Sequence, residues 1–277
     1  MTAANVPTIT LNNGLQMPQL GFGVFQVPDA ETTAAVATAI ETGYRSIDTA
    51  AIYGNEAGVG RAIAESGVAR DELFITSKLW IDALGYDEAM RGYEASLERL
   101  GLDRLDLFLI HWPAPASDAY TEAWRALAQL HADGRVGAVG VSNFLPEHLA
   151  RLAEVSDLVP AVNQIELHPA MQNRETVAAN TERGIATEAW SPLAQGAVLG
   201  DAPVVAAAER HGVSPAQVVL RWHLQQGRIV IPKSVTPSRI ASNLDVFGFV
   251  LDSDELAAID GLERDGRTGP HPASFNG

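Results

Sequence analysis

The 277-residue chain has no cysteine. That absence excludes a disulfide framework, thiolate metal ligands and a cysteine nucleophile. Positive charge is scarce: 19 Lys and Arg stand against 34 Asp and Glu, a formal net charge of −15. A nucleic-acid binder needs a basic footprint to displace counterions from phosphates, so no nucleic-acid partner is expected. Any anionic ligand has to be gripped by a local basic cluster working against the global field. Long apolar runs are missing too. The longest, such as "LDLFLI", suit one buried strand and fall far short of the ~20 residues of a membrane span, so no membrane partner is expected. The opening "MTAANVPTIT" has neither a basic n-region nor an apolar h-region, which predicts no signal peptide and a cytoplasmic location. The histidines show no H-E-x-x-H or similar spacing, so no metal site is expected. Linker-like stretches are also lacking, and the whole of 1–277 reads as one domain.

What is present is a rhythm. "TITLNNGLQMP" alternates around Asn13-Gly14, which predicts an N-terminal β-hairpin. Eight short apolar runs follow: "LGFGV", "RSIDTA", "LFITSKLW", "LDLFLIHW", "VGAVGVSN", "AVNQIELH", "IATEAWSP" and "RIVIPKS". Strands buried on both faces read this way. Helical patterns lie between them, several opening on Asp, Asn or Ser and closing on Gly, as caps do. Two more helical stretches follow the last run, near 238–246 and 252–262. Eight strand–helix units in one chain of this length predict a (β/α)8 TIM barrel with two extra C-terminal helices. A doubly wound open sheet is the alternative.

Barrel chemistry sits where the strands end. Here those ends carry Asp48, Lys78 then Trp80, His111 then Trp112, Ser142-Asn143, Gln164 with Glu166 and His168, Trp190-Ser191, and Lys233-Ser234. Recurrence at seven ends points to one site. Asp48 and Lys78 alone read equally well as a structural ion pair. Tyr53, five residues past Asp48, adds chemistry. A free phenol titrates near pH 10, too high for an efficient proton donor at neutral pH. A neighbouring ammonium lowers that value, and a carboxylate keeps the ammonium charged. An imidazole beside them can orient a carbonyl oxygen. The set Asp48, Tyr53, Lys78 and His111 therefore suits protonation of a carbonyl oxygen as a hydride reaches its carbon.

The stretches "GYRSIDTAAIYGNE", "FITSKLW", "LFLIHWP", "VGVSNF", "NQIELHP" and "IPKSVTPSRIASN" resemble, in order and over essentially the whole chain, the signatures of the aldo-keto reductases. The resemblance is closest to the short bacterial members that include the 2,5-diketo-D-gluconate reductases. It implies a barrel that uses NADPH to reduce small aldehydes, ketones, α-dicarbonyls or keto sugars, as a monomer, with Tyr53 as proton donor in a tetrad with Asp48, Lys78 and His111. It places Ser142, Asn143 and Gln164 on the nicotinamide carboxamide, Trp190 against the ring, and Leu193 and Ile231 along the cofactor channel. Lys233, Ser234, Val235, Arg239, Ser242 and Asn243 would hold the adenosine end and its 2′-phosphate. Many members carry Glu at the position of Ser242. Within "RIVIPKSVTPSR", Arg228, Lys233 and Arg239 form a local basic excess at the eighth strand, where barrels place phosphate sites, and Arg239 is the best candidate for the 2′-phosphate.

Phe25, Trp80 and Trp112 suggest an apolar cradle for the substrate chain, and the tail "DGRTGPHPASFNG" is expected to lie across the barrel mouth. Competing readings were weaker in their residues. "GVGRAI" lacks the third glycine of a dinucleotide fingerprint and reads as helix packing at Gly58 and Gly60. A Schiff-base role for Lys78 needs a neutral amine, which Asp48 opposes. His168 before Pro169 reads as a turn residue. A nicotinamide-binding sensor barrel with little turnover is the rival from another functional class.

Overall fold

The computed structural model describes residues 6–277. The reading of no signal segment rests partly on residues 1–5 and lies outside that range. Strands β1 (Thr8–Thr10) and β2 (Gln16–Pro18) pair antiparallel around the Asn13-Gly14 turn, where Gly14 has φ +88°. Eight strands then run parallel in chain order: β3 (Phe22–Gly23), β4 (Ser46–Asp48), β5 (Phe74–Leu79), β6 (Leu105–Ile110), β7 (Val136–Ser142), β8 (Val162–Glu166), β9 (Ala186–Trp190) and β10 (Ile229–Val230). The sheet closes on itself. The Gly21 amide donates to the Val230 carbonyl at 2.9 Å, the Val230 amide to Gln19 at 3.0 Å, and the Gly23 amide to Pro232 at 3.2 Å. The open-sheet alternative is thereby excluded, and the eight-stranded barrel stands.

The two-residue period of a strand sorts side chains between two cores. Phe74, Leu107, Leu109, Ala138 and Val162 fill the barrel interior, where Leu11 and Met17 of the hairpin join them. Ile47, Ile75, Leu79, Phe108, Ile110, Val141, Ile165 and Ala189 pack in the outer core that the helices cover. Continuing the same alternation toward the C-terminal ends turns Asp48, Lys78, Ser142, Gln164, Glu166, Glu188 and Trp190 inward. An apolar interior therefore gives way, one layer up, to a polar one.

The helices are α1 (Asp29–Thr42), α2 (Glu56–Glu65), α3 (Tyr86–Leu100), α4 (Tyr120–Ala132), α5 (Pro146–Ala153), α6 (Arg174–Glu182), α7 (Ala202–His211), α8 (Pro215–Gln225), α9 (Pro237–Leu244) and α10 (Ser253–Asp260). Side-chain caps form at Ser214 and Asp252, each in a capping box. Two helices follow β10. Of these, α9 packs on α1 and α8 and completes the ring, whereas α10 packs on α7 outside it. A Cβ at Gly60 would lie 2.1 Å from the Leu100 carbonyl, so this glycine sets the close approach of α2 and α3.

Candidate active site

Tyr53 reaches Asp48 through a short, pinned connection. Past β4 a single 3-10 turn spans Ala51–Tyr53 and stops at Gly54, whose φ of +67° suits glycine. Asn55 then fastens the turn. Its amide donates to the Val24 and Val27 carbonyls at 2.9 and 3.0 Å, and its oxygen accepts from the Thr49 hydroxyl at 2.8 Å. Lys78, fully buried, donates from Nζ to Asp48 Oδ1 at 2.5 Å and to the Thr49 carbonyl at 2.9 Å. The ammonium lies 5.1 Å from the centre of the Tyr53 ring, and the His111 ring 5.5 Å from it. The four expected residues thus meet at one point of the rim.

Their protonation follows from burial and charge. Burial disfavours the Lys78 ammonium, but Asp48, then Tyr53 and Glu188, outweigh that and hold it above its usual range. His111 is pushed well down, first by burial and then by Lys78, so its imidazole is neutral. Tyr53 departs from expectation. Lys78 draws its pKa down, but burial is the larger effect and Asp48 adds to it, so the phenol rises above its ordinary value. The sequence showed the charged neighbour and could not show the burial. A raised value keeps the proton on the phenol throughout the neutral range.

Beneath the tetrad lies a group absent from the expected set. Glu188, two residues before the end of β9, is fully buried. Gln164 Nε2 donates to Asp48 Oδ2 and to Glu188 Oε2, both at 2.9 Å, and so spans the two carboxyl groups. Burial, then Asp48, pushes the Glu188 carboxyl up to about 8, with Gln164 and Lys78 opposing. This acid therefore holds its proton near neutrality. A folded-state pKa above the unfolded one adds stability at low pH that fades as pH rises from about 5 to 8. Glu188→Gln lacks that loss. Its stability relative to wild type should climb by about 1.4 kcal/mol per pH unit across the window, read from urea unfolding at both ends. An unchanged difference would show that Glu188 is ionised in the fold.

The expected nicotinamide contacts form one network. Ser142 donates to the Gln164 carbonyl at 2.8 Å, and Asn143 Nδ2 donates to Ser142 Oγ and to the His111 carbonyl, both at 3.0 Å. Trp190 Nε1 donates to Asn143 Oδ1 at 2.8 Å. Asn143 has φ +64°, a conformation Asn tolerates, which turns the chain out of β7. With both Gln164 N–H groups committed, its Oε1 is left as an acceptor, beside spare lone pairs on Asn143 and Ser142. Acceptors suit the NH2 of a carboxamide, so the set fits nicotinamide.

At the end of β10, Ile231, Ser234 and Asn243 are buried, Leu193 and Ser242 partly so, and Lys233, Val235 and Arg239 exposed. Ser234 Oγ accepts from the Thr236 amide at 3.1 Å, and the Ser242 hydroxyl donates to the Arg239 carbonyl at 3.2 Å. Lys233 and Arg239 make no ion pair among the described residues, although most of this acidic chain's arginines do. Lys78 and Lys233 are the only two lysines of the chain, one enclosed and one exposed. Arg228 does not join them. It precedes β10, at the opposite end of the strand, and stacks on Trp222 at 4.5 Å, where burial brings its pKa down to about 10.

Of the residues expected to cradle the substrate, Phe25, 51 % exposed, packs on Tyr53 at 5.0 Å between ring centres, and Trp80 packs on His111 at 5.2 Å. Trp112 is buried under Phe275, whose ring lies 4.6 Å from it and 6.3 Å from Trp80. The tail does cross the mouth, and Phe275, to which no sequence pattern pointed, packs on two of the three residues expected to cradle the substrate. His168 does open a turn, in which its amide and carbonyl both pair with Met171. It is fully buried and pairs with Glu166 at 3.1 Å.

Among the described residues no helix is long and apolar enough to cross a membrane, and no group of three or more acidic or histidine side chains is gathered as for a metal ion. A family model of the aldo/keto reductase family matches residues 19–203 and 201–264. Methylglyoxal reductase DkgA of Escherichia coli is 50% identical over 279 residues, with 99% of this chain and 100% of the relative covered. Glyoxal reductase of Bacillus subtilis is 50% identical over 266 residues, covering 96% of each chain. Among solved structures, a Gox0644 mutant in complex with NADPH is 49% identical, with a TM-score of 0.94 and 98% of each chain covered. The barrel with its tyrosine–lysine–aspartate–histidine rim is an oxidoreductase scaffold. The chain belongs to the aldo/keto reductase family.

Proposed function

We propose that the chain is an NADP-dependent aldo-keto reductase that uses NADPH to reduce small aldehydes, ketones, α-dicarbonyls or keto sugars to alcohols, with Tyr53 as the proton donor. Glyoxal- and methylglyoxal-reducing relatives make the α-dicarbonyls the first substrates to try. The observation that carries the reading is the buried Lys78–Asp48 pair beside Tyr53 and a neutral His111.

NADPH, when bound, supplies the hydride that reduces the carbonyl carbon. Ser142, Asn143, Gln164 and Trp190 would hold its nicotinamide, and Leu193 and Ile231 would flank it. Lys233, Ser234, Val235, Arg239, Ser242 and Asn243 would hold its adenosine end. The work of this chain's own residues is proton delivery and orientation. His111, neutral, has an N–H to offer the substrate oxygen, and its Nδ1 has no partner among the described residues. Tyr53 gives its proton to the same oxygen as negative charge builds there. Lys78, held charged by Asp48, stabilises the phenolate that remains. Phe25, Trp80 and Trp112 would border the substrate's carbon chain.

A panel of carbonyls assayed with NADPH and NADH tests the reading: NADPH absorbance should fall only when a carbonyl is present, and a flat trace across the panel overturns it. Cofactor choice has its own test. A charge-assisted hydrogen bond contributes about 1.5–3 kcal/mol. Arg239→Ala should therefore weaken NADPH binding by roughly ten- to a hundred-fold, leave NADH little changed, and flatten the salt dependence of NADPH affinity. Equal weakening of both cofactors would place Arg239 elsewhere than on the 2′-phosphate. The same proposal takes the chain as one domain, a monomer, acting in the cytoplasm. One outer core running from Leu20 to Ile259 supports the single domain.

A further inference from the structure

Glu166 ends β8 as a buried carboxylate that the proposed reaction does not use. Its Oε1 accepts from the Thr268 amide and the Thr268 hydroxyl, both at 2.6 Å, and lies 3.1 Å from His168 Nε2. Its Oε2 accepts from the Gly269 amide at 3.1 Å. Three of these four donors belong to the C-terminal tail, 102 and 103 residues further along the chain. A carboxylate offers about four lone-pair sites, two on each oxygen; here three donors converge on Oε1 and one on Oε2. Burial alone would raise this carboxyl, but the bonds from His168, Thr268 and Gly269 outweigh it and keep the group ionised. Charge-assisted bonds of this kind are the strong ones.

Among the described residues, the rest of the tail is hydrogen-bonded to the barrel only near its two ends, and between them Pro272 is buried. Near its start the Arg264 and Gly266 amides donate to the Ala170 carbonyl at 3.3 and 2.7 Å. Near its finish Phe275 packs on Trp112 and Trp80, and the Ala116 amide donates to Asn276 Oδ1 at 3.0 Å. Among the described residues, Glu166 is the one barrel residue hydrogen-bonded to the span 267–270. That span also grazes the site. A Cβ at Gly269 would lie 2.5 Å from Trp190 Cη2, so the backbone runs against the edge of that ring. Freed at this point, the chain from Gly266 to Phe275 would have to surrender its conformational freedom whenever Phe275 seated itself.

We propose that Glu166 is a positioning residue for the carbonyl substrate: by fastening the tail at Thr268 and Gly269 it seats Phe275 on the Trp80–Trp112 face and so completes the apolar wall of the pocket. The inference rests on carbonyl reduction at Tyr53. Glu166→Gln keeps the size of the side chain but turns an acceptor into an N–H donor that faces other donors.

Two measurements test the clamp. Amide hydrogen exchange needs no substrate: Thr268 and Gly269 should exchange at least roughly tenfold faster in Glu166→Gln, and unchanged exchange overturns the clamp. Steady-state kinetics with NADPH across aldehydes of increasing chain length reads the positioning. Glu166→Gln should raise KM roughly tenfold for long apolar chains, leave the smallest substrate little affected, and largely spare kcat. Phe275→Ala should show the same dependence on length. The double variant should be no worse than Phe275→Ala alone, because Glu166 acts through that ring. Additive effects, or a KM rise that ignores chain length, overturn the proposal. Thr268→Val removes one donor without touching the barrel and covers the case in which Glu166→Gln does not fold. It should shift KM in the same direction by less, and no shift at any chain length counts against the clamp. If the wild-type chain oxidises NADPH with no carbonyl at all, the reading of the reaction fails while the exchange result still reports on the tail.

Discussion

Replacing Tyr53 with phenylalanine is expected to lower turnover by roughly 10²–10⁴-fold, the usual contribution of a general acid. The substitution keeps the ring that packs on Phe25 and His111 and removes only the hydroxyl that carries the proton. NADPH binding, followed by tryptophan fluorescence, should survive. The loss should appear equally in kcat and kcat/KM, because the interaction is made only as charge develops on the oxygen. Near-full turnover in this variant would remove Tyr53 from the role of donor. The raised phenol pKa adds a directional corollary. Carbonyl reduction uses the protonated phenol, which dominates at neutral pH, whereas alcohol oxidation needs the phenolate and should gain as pH rises.

Lys78→Met is expected to be the most damaging single change in stability. It removes the ammonium from between Asp48 Oδ1 and the Thr49 carbonyl and leaves Asp48 with Gln164 as its remaining donor. Breaking one half of a buried ion pair costs about 3–5 kcal/mol, because the other charge stays behind unpaired. Turnover should fall as well, since nothing then opposes the effect of burial on Tyr53. The two consequences separate in a double variant. Adding Asp48→Asn removes the orphaned charge and should restore part of the stability seen in urea unfolding, while turnover stays low. A folded Lys78→Met protein whose pH–rate profile matches wild type would end the tuning role. If the double variant is less stable than Lys78→Met alone, Asp48 was not stranded.

How far the sequence reaches is set by range. A strand's period is two, so a polar residue at the end of an apolar run announces both a strand end and a face. That is why Asp48, Lys78, His111, Ser142 and Gln164 stand out in the sequence, and why the barrel itself was legible from eight such runs. Glu188 was hidden by the same logic. It sits inside "IATEAWSP", where the eye stops at Trp190, and only the registration of Glu188 beside Gln164 across β8 and β9 shows that it belongs to the site. Phe275 and the partners of Glu166 were out of reach for another reason. They lie in an irregular tail whose place depends on contacts about a hundred residues distant, and no local pattern encodes them. Arg228 shows the reverse error. A charge count over "RIVIPKSVTPSR" treats the stretch as one place, yet a strand of the barrel has two ends, and Arg228 lies at the wrong one. The pKa of Tyr53 moves opposite to the expected direction, since a sequence lists neighbours but not the water they displace.

The lysine count has a practical side. With Lys78 sealed in the barrel, Lys233 is the one lysine side chain that an amine-directed reagent can reach. Coupling the protein to a surface or a dye through lysine would attach it, nearly uniformly, by the rim where the adenosine end of the nucleotide is proposed to rest. A preparation immobilised this way would be homogeneous in orientation and blind to its cofactor. Nucleotide added beforehand would shield the only exposed lysine. Immobilisation that keeps the cofactor end open has to go through the carboxylates instead, which this acidic chain carries in plenty.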